Sequence, residues 1–277
     1  VNPAWSVILF TTLAGAGQGL FLAAFATRAP AYFVLISLIL TALGLAASFF
    51  HLGRPERAWR TAAMWRTSWL SREVIALPAF MGFSFVFFLT GLEIVGWLAV
   101  LACAGLFVCT AMIYACLKFL QEWASPLTVL NFALLGIASG LTLAAALDAM
   151  YSLAAILATV VAGMARAASL YRNARLKPRS TVQSAIGIDH PQIAQKAQGS
   201  IAGSFNTREF FHGRGPLALR NVKWFFLAAA FFAPPLLILA GLQAGACAVQ
   251  FCGLLAERWF FFAQANHPQN LYYQAVS

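Results

Sequence analysis

The chain alternates between long apolar runs and short polar interruptions, and the length of those runs predicts helices rather than strands. A helix rises about 1.5 Å per residue, so about 20 consecutive apolar residues cross the hydrocarbon of a bilayer. Runs of that kind are expected at residues 5–27, 31–50, 73–92, 93–117, 126–147 and 149–171. Two more, 217–232 and 236–262, are expected to part at Pro234-Pro235, because proline lacks the N–H that continues a helix. The fold class this implies is an all-α integral membrane protein, one domain over residues 1–277 built as a bundle of eight transmembrane helices. Two polar stretches punctuate the pattern. Residues 51–72 set Trp59, Trp65 and Trp69 among arginines, as an interfacial segment would. Residues 172–221 make the one long loop, whose centre FNTREFFHGRG (residues 205–215) mixes aromatic and charged groups and is expected to be an ordered contact surface.

Composition narrows the function. Of 277 residues, 61% are hydrophobic and 9% charged, against roughly 25% charged in soluble domains. That excludes a water-soluble enzyme and a nucleic-acid-binding module. Eight spans consume about 170 residues, which leaves too little for a separate catalytic domain. The net charge of +10 is one-sided. An even number of spans puts both termini on one face, with Arg54, Arg57, Arg60, Arg66, Arg72, Lys118 and the basic residues of the long loop. The opposite face carries Arg28, Glu93 and Asp148. This asymmetry places the termini and the long loop in the cytoplasm; a bacterial inner membrane is the expected location. No cleavable signal peptide is expected, because the first run is too long for one and no basic segment precedes it.

Candidate chemistry lies in polar groups that are costly to hold at membrane depth. The cysteines, Cys103, Cys109, Cys116, Cys247 and Cys252, all fall in apolar runs with no CxxC, so they read as packing residues rather than iron–sulfur ligands. Of the histidines, His190, His212 and His267 lie in the loop or tail, so no bis-histidine haem and no metal site is expected. Asp148 reads as a turn residue, Arg166 as a side chain that snorkels to the surface, and Glu257 and Arg258 as structural neighbours near the last helix end. His51 closes the second span and Glu73 opens the third, at one level on one face. An imidazole and a carboxyl so placed can exchange protons with a ligand arriving from lipid. They can equally be an interfacial histidine and a carboxylate capping a helix. The small and polar run Thr11, Thr12, Gly15, Gly17, Gln18, Gly19 lets a neighbouring helix or a flat ligand approach the backbone of the first span.

The segment HLGRPERAW, residues 51–59, resembles the signature that follows the second helix in the membrane anchor subunits of the DMSO reductase family. TTLAGAGQG at 11–19, GSFNTREFFHG at 203–213 and ERWFFFAQANHPQ at 257–269 fit one branch of it. The resemblance implies an anchor that holds a molybdopterin catalytic subunit and an iron–sulfur electron-transfer subunit on the membrane. It also implies exchange of electrons and protons with quinone and quinol, without haem, iron–sulfur cluster or metal in the anchor itself. His51 would then hydrogen-bond a quinone oxygen, Glu73 would pass the proton, and Arg57 would stabilise negative charge on the ring or tether the partner. Gly53 would leave room for the ring, and Gly15 and Gln18 would wall the pocket. Arg54, Arg60, Arg66 and the long loop would dock the iron–sulfur subunit. The basic face resembles relatives that serve cytoplasm-facing enzymes such as sulfite dehydrogenase, so quinone reduction coupled to sulfite oxidation is the expectation. A quinol-oxidising anchor of a DMSO or similar S- or N-oxide reductase in anaerobic electron transport is the alternative. A secondary transporter would need paired broken helices in two repeats, and one Pro-Pro break has no counterpart.

Overall fold

The computed structural model describes residues 1–50, 55–177, 179, 181–194 and 212–267. All regular elements among them are helical, and eight helices are long and apolar enough to cross a membrane. The first six spans are α1 (Trp5–Thr27), α2 (Ala31–Phe49), α3 (Trp69–Thr90), α4 (Glu93–Ala115), α5 (Pro126–Leu147) and α6 (Ser152–Ala174). A 3-10 segment, Pro55–Met64, lies between α2 and α3, and the short α7 (Val182–Ile186) follows α6. The seventh span is composite, made of α8 (Pro216–Leu227), a π-turn at Ala228–Phe232 and α9 (Ala233–Leu239). The eighth is α10 (Gln243–Ala263). The chain is thus an all-α membrane protein.

Local chemistry sets the helix boundaries. Ser68 accepts a hydrogen bond from the Ser71 N–H (3.3 Å) and starts α3 at Trp69, four residues before the expected position. Ser125 does the same for Leu127 (3.2 Å), with Pro126 in the first turn of α5, where its missing N–H costs nothing. Asp148 caps the turn between α5 and α6 by accepting from Met150 (2.9 Å), so it lies where the sequence puts it.

Pro234-Pro235 does not separate two spans. Pro234 cannot donate to the carbonyl of Ala230, one turn back. The helix widens there into the π-turn, and Gln250 of α10 donates to that carbonyl (3.3 Å) and to Thr159 of α6 (3.1 Å). With the freed carbonyl satisfied, the seventh span continues to Leu239. The chain reverses at Gly241, whose φ of 77° falls in the left-handed region, and the eighth span starts at Gln243.

Burial shows which helix is central. In α1, 78% of the spanning window is buried, whereas in α3 it is 22%, the lowest of the eight. A side chain on Gly19 or Gly140 would overlap the backbone of the other helix, so α1 and α5 pack backbone against backbone. Phe21 and Phe25 of α1 meet Phe80 and Phe87 of α3 and Trp97 of α4 in one aromatic cluster. A second cluster, Tyr114, Trp123, Phe132, Phe261 and Phe262, lies toward the terminal face. There the Trp123 indole N–H donates to the Phe261 carbonyl (2.8 Å).

Candidate functional site

Four of the buried residues of α3, Glu73, Leu77, Phe80 and Ser84, recur at helical spacing and form one stripe. The stripe packs on α4, and Glu73 is its outermost member. The Ser68 cap places this carboxyl about 6 Å inside the helix. Thr110 of α4 donates a hydrogen bond to Glu73 Oε1. Glu73 is 6% exposed and forms no ion pair among the described residues. Cys109 and Tyr114, also on α4, lie within its electrostatic reach. Pro78 leaves the carbonyl of Val74 without its helical donor, next to the acid. A carboxyl at depth without a countercharge is an expensive group. It sits on the span least buried within the bundle.

Around this acid the interfacial segment is tied down by its arginines. Arg72 lies 4.1 Å over the Trp69 ring and donates to the carbonyls of Trp65 (2.9 Å) and Arg66 (2.8 Å). Arg60 and Arg66 each lie 5.4 Å from the ring of the preceding tryptophan. Arg57 is half exposed and lies 3.9 Å from its neighbour Glu56. His51, Gly53 and Arg54 lie outside the described residues. The helices that bracket them, α2 and α3, pack against each other.

Gly15 and Gln18 are engaged elsewhere. Gly15 packs on Gly136 of α5, and Gln18 donates to the Cys103 carbonyl of α4 (3.0 Å). Cys103 precedes Thr110 by seven residues, about 10 Å along the helix. The structure therefore brings Glu73 together with Thr110 and sets Gln18 two turns deeper. Thr110 carried no signal in the sequence, being one hydroxyl in an apolar run.

A second charged group was legible only in pieces. Arg166 does not snorkel. It is 2% exposed, and its Nε lies 2.7 Å from Glu257 Oε1. Arg258 lies 3.7 Å from Glu257 Oε2, with its guanidinium 3.9 Å from the Phe132 ring centroid. A surface-reaching conformation would forfeit the carboxylate, and the pairing of the sixth span with the eighth keeps Arg166 inside. Among the described residues no three His, Cys, Asp or Glu side chains converge as metal ligands would.

Two comparisons bear on this arrangement. The DMSO reductase anchor subunit (DmsC) family matches residues 2–190. One sulfite dehydrogenase subunit from Allochromatium vinosum is 50% identical over 325 aligned positions, covering 100% of both chains.

Proposed function

The chain belongs to the DMSO reductase anchor subunit family, and from that premise we propose that it is the quinone-reactive membrane anchor of a molybdopterin and iron–sulfur oxidoreductase. The observation that carries this reading is Glu73: buried near the terminal face, bonded to Thr110, without a cationic partner among the described residues, on the span least buried within the bundle. In this reading quinone enters from the bilayer between the ends of α2 and α3. His51 donates to one ring oxygen and Glu73 delivers a proton to the other. Arg57 stabilises negative charge on the ring or engages the partner, and Gly53 gives the ring room. Two electrons arrive from an iron–sulfur subunit and two protons from the terminal face, so quinone leaves as quinol. The reaction runs backward when quinol is oxidised. Gly15 and Gln18 contribute by holding α1 against α5 and α4.

Arg60 and Arg66 are exposed on that face and are suited to an acidic partner surface, with Arg54 and the long loop beside them. The excess of basic residues there supports cytoplasmic termini in an inner membrane. The catalytic and electron-transfer partners would then dock from the cytoplasm. Similarity over the full length, at 50% identity, to a sulfite dehydrogenase subunit favours electron flow from sulfite to quinone. The family match equally admits quinol oxidation for a DMSO-type reductase. The test uses the whole complex in membranes. Glu73→Gln and His51→Ala are expected to abolish quinone-linked turnover and to leave dye-linked turnover of the partners unchanged. Wild-type quinone kinetics in both variants would overturn the reading.

A further inference from the structure

A threonine in an apolar helix ordinarily gives its hydroxyl hydrogen to the backbone carbonyl one turn back, the nearest acceptor where water is scarce. Five threonines of the spans follow that rule. Thr11 donates to Val7 (2.9 Å), Thr27 to Ala23 (2.9 Å), Thr41 to Ser37 (2.8 Å), Thr90 to Val86 (2.7 Å) and Thr142 to Ala138 (2.9 Å). Thr110 departs from it. Its hydroxyl reaches from α4 to α3 and donates to Glu73 Oε1, and among the described residues it makes no bond to its own backbone.

The two residues meet because α3 and α4 are consecutive spans packed together, and each residue stands at a similar depth. Glu73 lies four residues inside the start of α3 and Thr110 five residues before the end of α4, about 6 Å and about 8 Å from the terminal-face ends. Both are buried. Thr110 is β-branched, so its helix restricts the directions its hydroxyl can take. Glu73 carries its carboxyl on a longer chain of single bonds. The hydrogen bond therefore fixes the more mobile partner. It also makes the two carboxyl oxygens unlike. Oε1 accepts from Thr110, whereas Oε2 has no hydrogen-bond partner among the described residues.

We propose that Thr110 is a positioning residue of the quinone site, holding the Glu73 carboxyl by Oε1 so that Oε2 is the oxygen that exchanges a proton with the ring. This rests on the reading of Glu73 as the acid of that site. When quinone is reduced, the O–H bond at Glu73 Oε2 breaks and an O–H bond forms on one ring oxygen. The two electrons come from the partner's iron–sulfur carrier, and the second proton reaches the other ring oxygen from the terminal face. The carboxylate keeps its Thr110 bond and regains a proton at Oε2 from the same face, so no group is changed after turnover. Quinol oxidation runs the step backward. Thr110 acts through Glu73 throughout.

Thr110→Val and Thr110→Ser test this in the intact complex in membranes, because the first keeps the shape without the hydroxyl and the second keeps the hydroxyl. Expected in Thr110→Val are a fall in quinone-linked kcat of at least about tenfold, an unchanged KM for quinone and unchanged dye-linked turnover. Thr110→Ser should recover most of the loss, and Thr110→Ala should match Thr110→Val if the valine variant does not assemble. The hydrogen bond itself is read in infrared difference spectra of quinone reduction. The carboxyl C=O band that Glu73→Gln removes should lie at higher wavenumber in Thr110→Val and return in Thr110→Ser, a response that packing alone would not produce. Wild-type kcat in Thr110→Val beside an inactive Glu73→Gln would overturn the role of Thr110 and leave the quinone site standing. So would a serine variant as slow as the valine one, a raised KM with unchanged kcat, or a band that does not move. Wild-type turnover in Glu73→Gln would overturn both readings.

Discussion

Removing the one carboxylate of the buried group should damage the fold more than removing one of its two arginines. Glu257 lies 2.7 Å from Arg166 and 3.7 Å from Arg258, and no member is more than 4% exposed. Glu257→Gln keeps the volume but strands two like charges inside the bundle, a loss of about 3–5 kcal/mol. Arg166→Met leaves Glu257 with Arg258 as a neutral pair and fills much of the vacated space. Its cost is the lost contact, about 1–2 kcal/mol. The central figures differ by about 2.5 kcal/mol, more than a tenfold difference in the folding equilibrium. The assay is equilibrium unfolding of the solubilised chain in micelles of rising dodecyl sulfate fraction, with both variants measured side by side. Arg166→Met as unstable as Glu257→Gln would refute the charge argument and make shape complementarity the main term.

The Pro234 region and the start of α8 give two more expectations. Gln250→Leu should cost about 1–2 kcal/mol by leaving the Ala230 carbonyl without its donor. The cost should shrink when Pro234→Ala restores a backbone N–H, and equal costs in both backgrounds, read by thermal unfolding, would deny Gln250 that role. Burial holds the His212 imidazole below the ordinary histidine range. The neutral ring packs near Trp259 and its Nδ1 accepts from the Arg214 N–H (3.0 Å). A base with a lowered folded value gives its full contribution above about pH 6.5 and loses it as pH falls below that. Limited proteolysis near residues 212–215 should therefore speed up between about pH 7 and about pH 5.5, and slowing over that range would contradict it.

The spans were legible because about 20 apolar residues in a row have few alternatives to crossing a bilayer. Their edges were less so. Trp69 to Arg72 reads as an interfacial stretch, and only the Ser68 cap shows that the helix has already begun. The seventh span was split at Pro234-Pro235 because local propensity forbids a regular helix there. The donor that overrides it, Gln250, arrives from another helix. The same logic separates the site residues. Glu73 stood out as a charge where charge is costly, whereas Thr110 became visible only when α3 met α4. Arg166 alone suggested a side chain reaching the surface. Its partner is 91 residues away, and no local pattern encodes that meeting.

The central claim is that quinone binds this chain between the ends of α2 and α3, beside Glu73. The measurement that tests it most directly is photolabelling of the intact complex in membranes with an azidoquinone, followed by peptide mapping. The account predicts covalent label in residues 49–74 and on α4 around Thr110. Excess unlabelled quinone should prevent this labelling, and His51→Ala and Glu73→Gln should reduce it. Label found only on the partner subunits, or on this chain at the opposite face around Arg28 and Glu93, would contradict it.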